Sequence, residues 1–198
     1  MNIVPLISIK NGIILDGKDG NQISIDDLFK QIEKDTMIYV LDLDGIEHNN
    51  LSLDLYQKLT EHCSLWIDGG PRRLDDIMDI IMAGATNITL REELWPEMDI
   101  PSVFELTDDE VYFCINSTHG QQPLILQFSQ QDVGVVVFSE GLQTNDDFTL
   151  TSFFKNLAIK HKIYLYMVAP NTISLWEERG ITGILVDVNK KQSDQYGL

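Results

Sequence analysis

Apolar residues in this chain fall in short continuous runs, and the stretches between them carry apolar residues at helical spacing. The alternation is densest from Leu65 to Arg91. Leu65 to Asp68 reads as a buried strand broken by Gly69-Gly70-Pro71. Leu74, Ile77, Met78 and Ile81 then recur at helical spacing, with Asp75, Asp76 and Asp79 on the opposite side. Gly84 stands where that helix stops, and Asn87 to Leu90 reads as the next strand. Strand, helix and strand in so few residues predict parallel neighbours joined by a right-handed crossover.

The rest of the chain repeats the pattern. Ile3 to Ile9 predicts a strand interrupted by Pro5, extended through the Asn11-Gly12 turn into a hairpin arm at Ile13 to Leu15. Ser24 caps a predicted helix from Ile25 to Lys34, with Asp26 and Asp27 in its first turn. Further strands are expected at Met37–Leu43, Glu110–Asn116, Val133–Ser139, Ile163–Val168 and Gly183–Val188. Helices are expected at Leu51–Cys63, Leu150–His161 and Thr172–Arg179. Pro96 and Pro101 make the Glu92–Asp109 connection short or irregular, and Lys190–Leu198 is too short for a full final helix. Gln121–Asp132 reads equally as strand or helical turn.

Eight β-runs alternating with helices predict an α/β fold, a (β/α)8 TIM barrel forming one domain over residues 1–198. Barrels usually run to ~250 residues, so this one must be trimmed, with short or missing helices after its fourth and eighth strands. An open doubly wound sheet is the alternative, but no nucleotide fingerprint supports it.

Charge narrows the functions. The chain of 198 residues has 31 acidic against 14 basic residues, a net charge of −17. Such a surface repels phosphate backbones, so nucleic acid is not an expected partner. Cys63 and Cys114 lack C-x-x-C spacing and read as reduced structural thiols. No signal-peptide pattern opens the chain, and no apolar run approaches the ~20 residues that span a bilayer. A cytoplasmic protein away from membranes is expected. The four histidines are scattered, and neither a cofactor nor a metal is expected.

The strand ends, laid in order, resemble the histidine-biosynthesis (HisA/HisF-type) ribulose-phosphate-binding barrels. PLISIKNG (Pro5 to Gly12) is similar to that family's P-x-I-D-L-x-x-G opening, and VLDLDGI (Val40 to Ile46) to its V-D-L-D-G-A second strand. IDGGPRRLDDI (Ile67 to Ile77) with AGATNI (Ala83 to Ile88) is similar to its G-G-G-I-R-x-x-x-D-I and A-G-A-x-x-V run. The second half is matched by strand order and by GITGILV (Gly180 to Val186).

The resemblance implies cofactor-free isomerisation of a phosphoribosyl sugar by two carboxylates, and the matching positions have changed. The strand-one carboxylate falls on Ser8, the strand-five carboxylate on Asn116, and the aspartate after strand six near Thr144, beside Asp146 and Asp147. Neither serine nor asparagine exchanges a proton unaided near neutral pH. The first phosphate site keeps Gly69 and Gly70, but its strand-four glycine matches Arg91. The second falls on Val168-Ala169-Pro170 and Asp187, which remove a donor and add a negative charge.

The candidate anion-binding set is therefore Gly69, Gly70 and Arg91, joined as substrate-binding candidates by Ser8, Asn116 and Ser139. Proton work falls to Asp42, Asp68 or Glu140, the last following strand six where the family has an acidic residue. Asp42 and Asp44 equally suit loop anchoring, and Asp42, Asp68 and Asp187 could instead ring the mouth. Two functions remain open. One is a divergent isomerase- or lyase-like enzyme, or a binder, taking a small singly phosphorylated or carboxylated metabolite. By resemblance, it would act near methanopterin-type one-carbon cofactor metabolism. The other is a non-catalytic barrel kept as a partner or regulatory subunit, its poorly covered strand-eight flank offering a homo-oligomer contact.

Overall fold

A computed structural model describes residues 1–107, 110–116, 133–138, 155–166 and 170–191. Nine strands form one sheet: β1 (Asn2–Lys10), β2 (Ile13–Leu15), β3 (Met37–Asp42), β4 (Ser64–Asp68), β5 (Ala85–Arg91), β6 (Glu110–Asn116), β7 (Gly134–Phe138), β8 (Ile163–Tyr166) and β9 (Gly183–Asp187). Their order is β2-β1-β3-β4-β5-β6-β7-β8-β9, and β1 also pairs with β9. All pairings are parallel except β1 with β2. The β1–β9 ladder closes eight parallel strands into a barrel and rules out the open sheet.

Asn11 and Gly12 both take positive φ, 52° and 71°, and join Lys10 to its partner Ile13. That is the left-handed two-residue turn for which Asn-Gly is suited. Pro5 does not interrupt β1 as expected. It pairs with Val186 of β9, while the ladder to β3 begins one residue later at Leu6. Its missing N–H therefore falls beside the start of a ladder.

Because the strands are parallel and covered, both faces are apolar. The outer face, including Ile7, Val40, Ile67, Leu90, Val137 and Ile184, packs against helix residues such as Leu28, Tyr56, Leu59, Ile77 and Ile80. The inner face is a second cluster built on Leu6, Tyr39, Trp66, Tyr112, Tyr164 and Tyr166. Trp66 lies 3.9 Å from the Tyr112 ring centroid and 4.9 Å from that of Tyr164. Glycine makes room for these rings: a Cβ on Gly183 would lie 2.6 Å from the Tyr164 ring, and one on Gly134 would overlap Tyr112. The barrel is a packed aromatic core, not a channel.

Among the described residues the helices are short: α1 (Ile25–Gln31), α2 (Leu43–His48), α3 (Leu53–Leu59), α4 (Leu74–Met82) and α5 (Ile100–Leu106), then helical residues at 155–158, a helix at Ile173–Glu178 and a last turn at Val188–Lys191. Three differ from expectation. Leu43 to His48, expected as strand end and loop, is helical because Asp42 caps it. The Leu51–Cys63 prediction contracts to Leu53–Leu59, and the proline-bearing connection carries α5 with Asp99 as its cap. Helix α4 is also turned from its predicted face: Asp76, Ile77 and Ile80 are buried and Met78 is exposed. The cause is Asp76, which accepts from the Arg72 N–H and the Arg73 guanidinium, both at 2.9 Å. Among the described residues no helix is long and apolar enough to cross a membrane.

Candidate functional site

In a (β/α)8 barrel the C-terminal strand ends face the loops that carry chemistry. Asp68 ends β4 and Arg91 ends the neighbouring β5. Arg91 Nε donates to Asp68 Oδ1 at 2.8 Å and Nη2 to Oδ2 at 2.7 Å, a side-on fork. Tyr39 Oη donates to the same Oδ2 at 2.6 Å. Behind it, Trp66 Nε1 donates to Thr89 Oγ1 at 2.9 Å. Asp68 is 0% exposed and Arg91 8%.

The outer edge of Arg91 faces different groups. Its Nη1 donates to Glu93 Oε1 at 3.3 Å, and its guanidinium carbon lies 5.6 Å from the Phe138 ring centroid. Burial works against the Arg91 charge, yet the Asp68 carboxylate more than compensates and holds the guanidinium above its ordinary range. Burial, reinforced by the Asp68 charge, raises the Tyr39 hydroxyl well above the usual tyrosine range. Burial also pushes the Cys114 thiol, beside Arg91 in register, up to about 12. Asp68, Arg91 and Tyr39 thus form one buried hydrogen-bonded group at the strand ends.

The other described part of the mouth is filled by the chain itself. Ser8 Oγ donates to the Gly17 carbonyl at 2.6 Å. Asp187 Oδ1 accepts from Lys18 N–H at 3.2 Å and from Tyr166 Oη at 3.0 Å. A Cβ on Gly17 would lie 2.6 Å from the Asp187 carboxyl carbon, so only glycine lets the strap approach this closely. Asn189 fastens its far side, donating from its N–H to the Asp16 carbonyl and from Nδ2 to Oδ1, both at 3.0 Å.

Asp42 is not in either group. Leu41 belongs to the inner cluster, and Asp42 pairs in register with outward-facing Ile9. Its carboxylate accepts from the N–H groups of Asp44, Gly45 and Ser52 and from Tyr56 Oη. Asp44 in turn accepts from Asn11 and Gly12 N–H at 2.7 and 2.8 Å. This pair anchors the β3–α3 connection and the hairpin, the loop-anchoring role considered above. Asp42, Asp68 and Asp187 thus have separate partners, and among the described residues no group of three candidate ligands could hold a metal ion.

Gly69 and Gly70 are buried at the turn into α4. Gly70 has φ +62°, and a Cβ there would lie 2.6 Å from Leu94 Cδ1 and 3.1 Å from the Ile46 α-carbon. Arg72, unremarked in the sequence, binds the Gly45 and Ile46 carbonyls and Asn49 Oδ1 at the end of α2. Asn116 ends β6 opposite Phe138. Ser139 and Glu140 lie outside the described residues, as do Thr144, Asp146, Asp147, Val168 and Ala169. Sequence reasoning missed Tyr39, Glu93, Tyr166 and the Gly17 strap. Only the alternation of Tyr39 with Leu41 along β3 could have pointed inward.

No protein-family model matches this sequence, and no curated protein is significantly similar to it. Among solved structures, 3-hexulose-6-phosphate synthase from Salmonella typhimurium is similar, with a TM-score of 0.61. The match covers 100% of this chain and 94% of that one at 12% sequence identity, a likeness of fold. The chain is an α/β protein with the closed parallel barrel of the TIM-barrel class.

Proposed function

We propose that this chain is a single-domain, divergent relative of the histidine-biosynthesis barrels. In this reading it binds a small anionic metabolite, carboxylated or singly phosphorylated, at the Arg91 side of its mouth. The observation that carries it is the side-on pairing of Arg91 with Asp68. A guanidinium gripped through Nε and Nη2 is held rigid, which leaves Nη1, now donating to the half-exposed Glu93, as the part able to take a planar anion instead. Asp68 is then a positioning residue for Arg91. The similar solved barrel is named for a sugar phosphate, which fits an anionic ligand. Two phosphates are disfavoured, because Asp187 and the Gly17 strap hold the strand ends where a second would sit.

Thermal-shift screening of the full chain against phosphosugars, small carboxylates and pterin or furan precursors tests the proposal. An anionic compound should raise the melting temperature of the wild type and not of R91K, which keeps the charge and loses the fork. An equal rise in R91K, or none with any compound, would defeat it. The strap over Ser8 and Asp187 also favours a second reading, a non-catalytic barrel serving as a partner subunit. A monomer in light scattering that turns over a metabolite would exclude that one.

A further inference from the structure

Arg91 has two carboxylates, and they hold it differently. Asp68 is fully buried and takes both Nε and Nη2. Glu93 is about half exposed, with its side chain 46% accessible, and accepts from Arg91 Nη1 at 3.3 Å, a longer contact than either bond to Asp68. Glu93 follows β5 by two residues, so its carboxylate reaches the guanidinium from the solvent side of the strand end. Phe138 bounds the same guanidinium at 5.6 Å.

From this geometry we infer that Glu93 occupies the seat of the ligand's own acid group, and that the seat selects a monocarboxylate over a phosphate. The inference rests on the reading of Arg91 as the anion anchor. A carboxylate is shown to fit there, because one is there. The charges favour the same class. Arg91 contributes one positive charge against one negative charge each from Asp68 and Glu93. A monocarboxylate that takes the place of Glu93 leaves the charge in contact with Arg91 unchanged, whereas a phosphate dianion adds one more negative charge there in a protein of net charge −17. Glu93 is then an internal competitor that lowers the apparent affinity and rejects anions too weak to displace it.

The test titrates 13C-labelled acetate, and separately inorganic phosphate, into the full chain at constant ionic strength. Binding is read from acetate line broadening and from melting temperature in wild type, E93Q and R91K. E93Q, changed at a half-exposed position, should melt close to the wild type in the absence of ligand. A half-exposed ion pair is worth at most ~1 kcal/mol, so E93Q should bind acetate about two- to fivefold more tightly. R91K should lose acetate binding, and phosphate should bind E93Q more weakly than acetate does. Equal acetate affinity in wild type and E93Q, with loss in R91K, would overturn the role of Glu93 and leave Arg91 as the anchor. Tighter binding of phosphate than of acetate to E93Q would overturn the carboxylate class. Undiminished binding in R91K, or no binding of either probe to any form, would overturn both the seat and the function it rests on.

Discussion

Replacing Asp68 by asparagine isolates the electrostatic anchor of the mouth. The substitution keeps the shape and still offers one oxygen to Tyr39 or Arg91, but removes the charge that holds the guanidinium. Arg91, only 8% exposed, would be left with the solvent-side contact to Glu93 at 3.3 Å. Removing one partner of a buried pair costs about 3–5 kcal/mol, because the remaining charge stays buried and uncompensated. The surviving Glu93 contact and the asparagine oxygen place D68N near the lower end, about 3 kcal/mol. For a chain of this length that is roughly 6–12 °C in melting temperature. R91M should cost at least as much, since Asp68 is 0% exposed and would keep only the Tyr39 hydroxyl.

The double variant D68L/R91M removes both charges and fills the space with apolar atoms. It should recover most of the loss, since apolar replacement of a buried pair is often neutral or stabilising. Urea unfolding followed by far-ultraviolet circular dichroism measures all four proteins, provided the slope with urea stays constant. A D68N loss below about 1 kcal/mol would refute the reasoning, because the pair would then be screened like a surface contact. A double variant as unstable as the two single losses added together would refute it as well.

Gly183→Ala should cost about 1–3 kcal/mol in urea unfolding, since its Cβ would lie 2.6 Å from the Tyr164 ring and 2.7 Å from the Asn2 carbonyl oxygen. Tyr56→Phe should cost about 1.5–3 kcal/mol by the same assay, leaving the Asp42 carboxylate without its hydroxyl donor. Burial raises the Cys63 thiol to about 11 and Cys114 to about 12, so native protein should not react with a thiol reagent at pH 8, and unfolded protein should. The sign follows: both thiols stay neutral in the fold, so their contribution to stability is complete below the ordinary value of 9 and is lost as pH rises toward 11–12. A histidine auxotroph lacking the isomerase should not grow when supplied with this gene, because Ser8 is hydrogen-bonded to the strap and cannot act as its carboxylate.

The strand order and the hairpin were legible because they depend on local signals: apolar runs, the Asn11-Gly12 turn and short connections. Which end residues face inward was not. A strand covered on both faces lacks the alternation of polar and apolar residues that would set its phase. Asp42 and Asp68 therefore looked alike, each an aspartate closing an apolar run. Register separates them, sending Asp42 outward to the cap of α2 and Asp68 inward to Arg91. The buried face of α4 was misplaced for a related reason. Asp76 reads as a solvated charge, yet its hydrogen bonds to Arg72 and Arg73 turn it inward and Met78 outward. Arg91 stands out as an anion-binding candidate because it falls on the family's strand-four glycine, but its carboxylate partners are not legible because they lie on another strand and in a following loop.

The two described sides of the mouth differ in what a ligand must displace. At Ser8 and Asp187 it would have to lift the Gly17 strap. That would break the serine contact at 2.6 Å and the Lys18 contact at 3.2 Å, and strain the Asn189 tether to Asp16. Each lost hydrogen bond costs about 1 kcal/mol or more where a buried group is left without a partner, and Ser8 and Asp187 are both buried. At Arg91 it would have to displace the half-exposed Glu93 carboxylate. Among the described residues the β5 side therefore needs the smaller rearrangement, with the Phe138 ring beside Arg91 and the packed aromatic layer beneath. If Arg91 is the anchor proposed above, a ligand reaching it there would be small, would carry its charge at one end, and would leave the Asp68–Arg91 pair intact, because that pair holds the arginine in place.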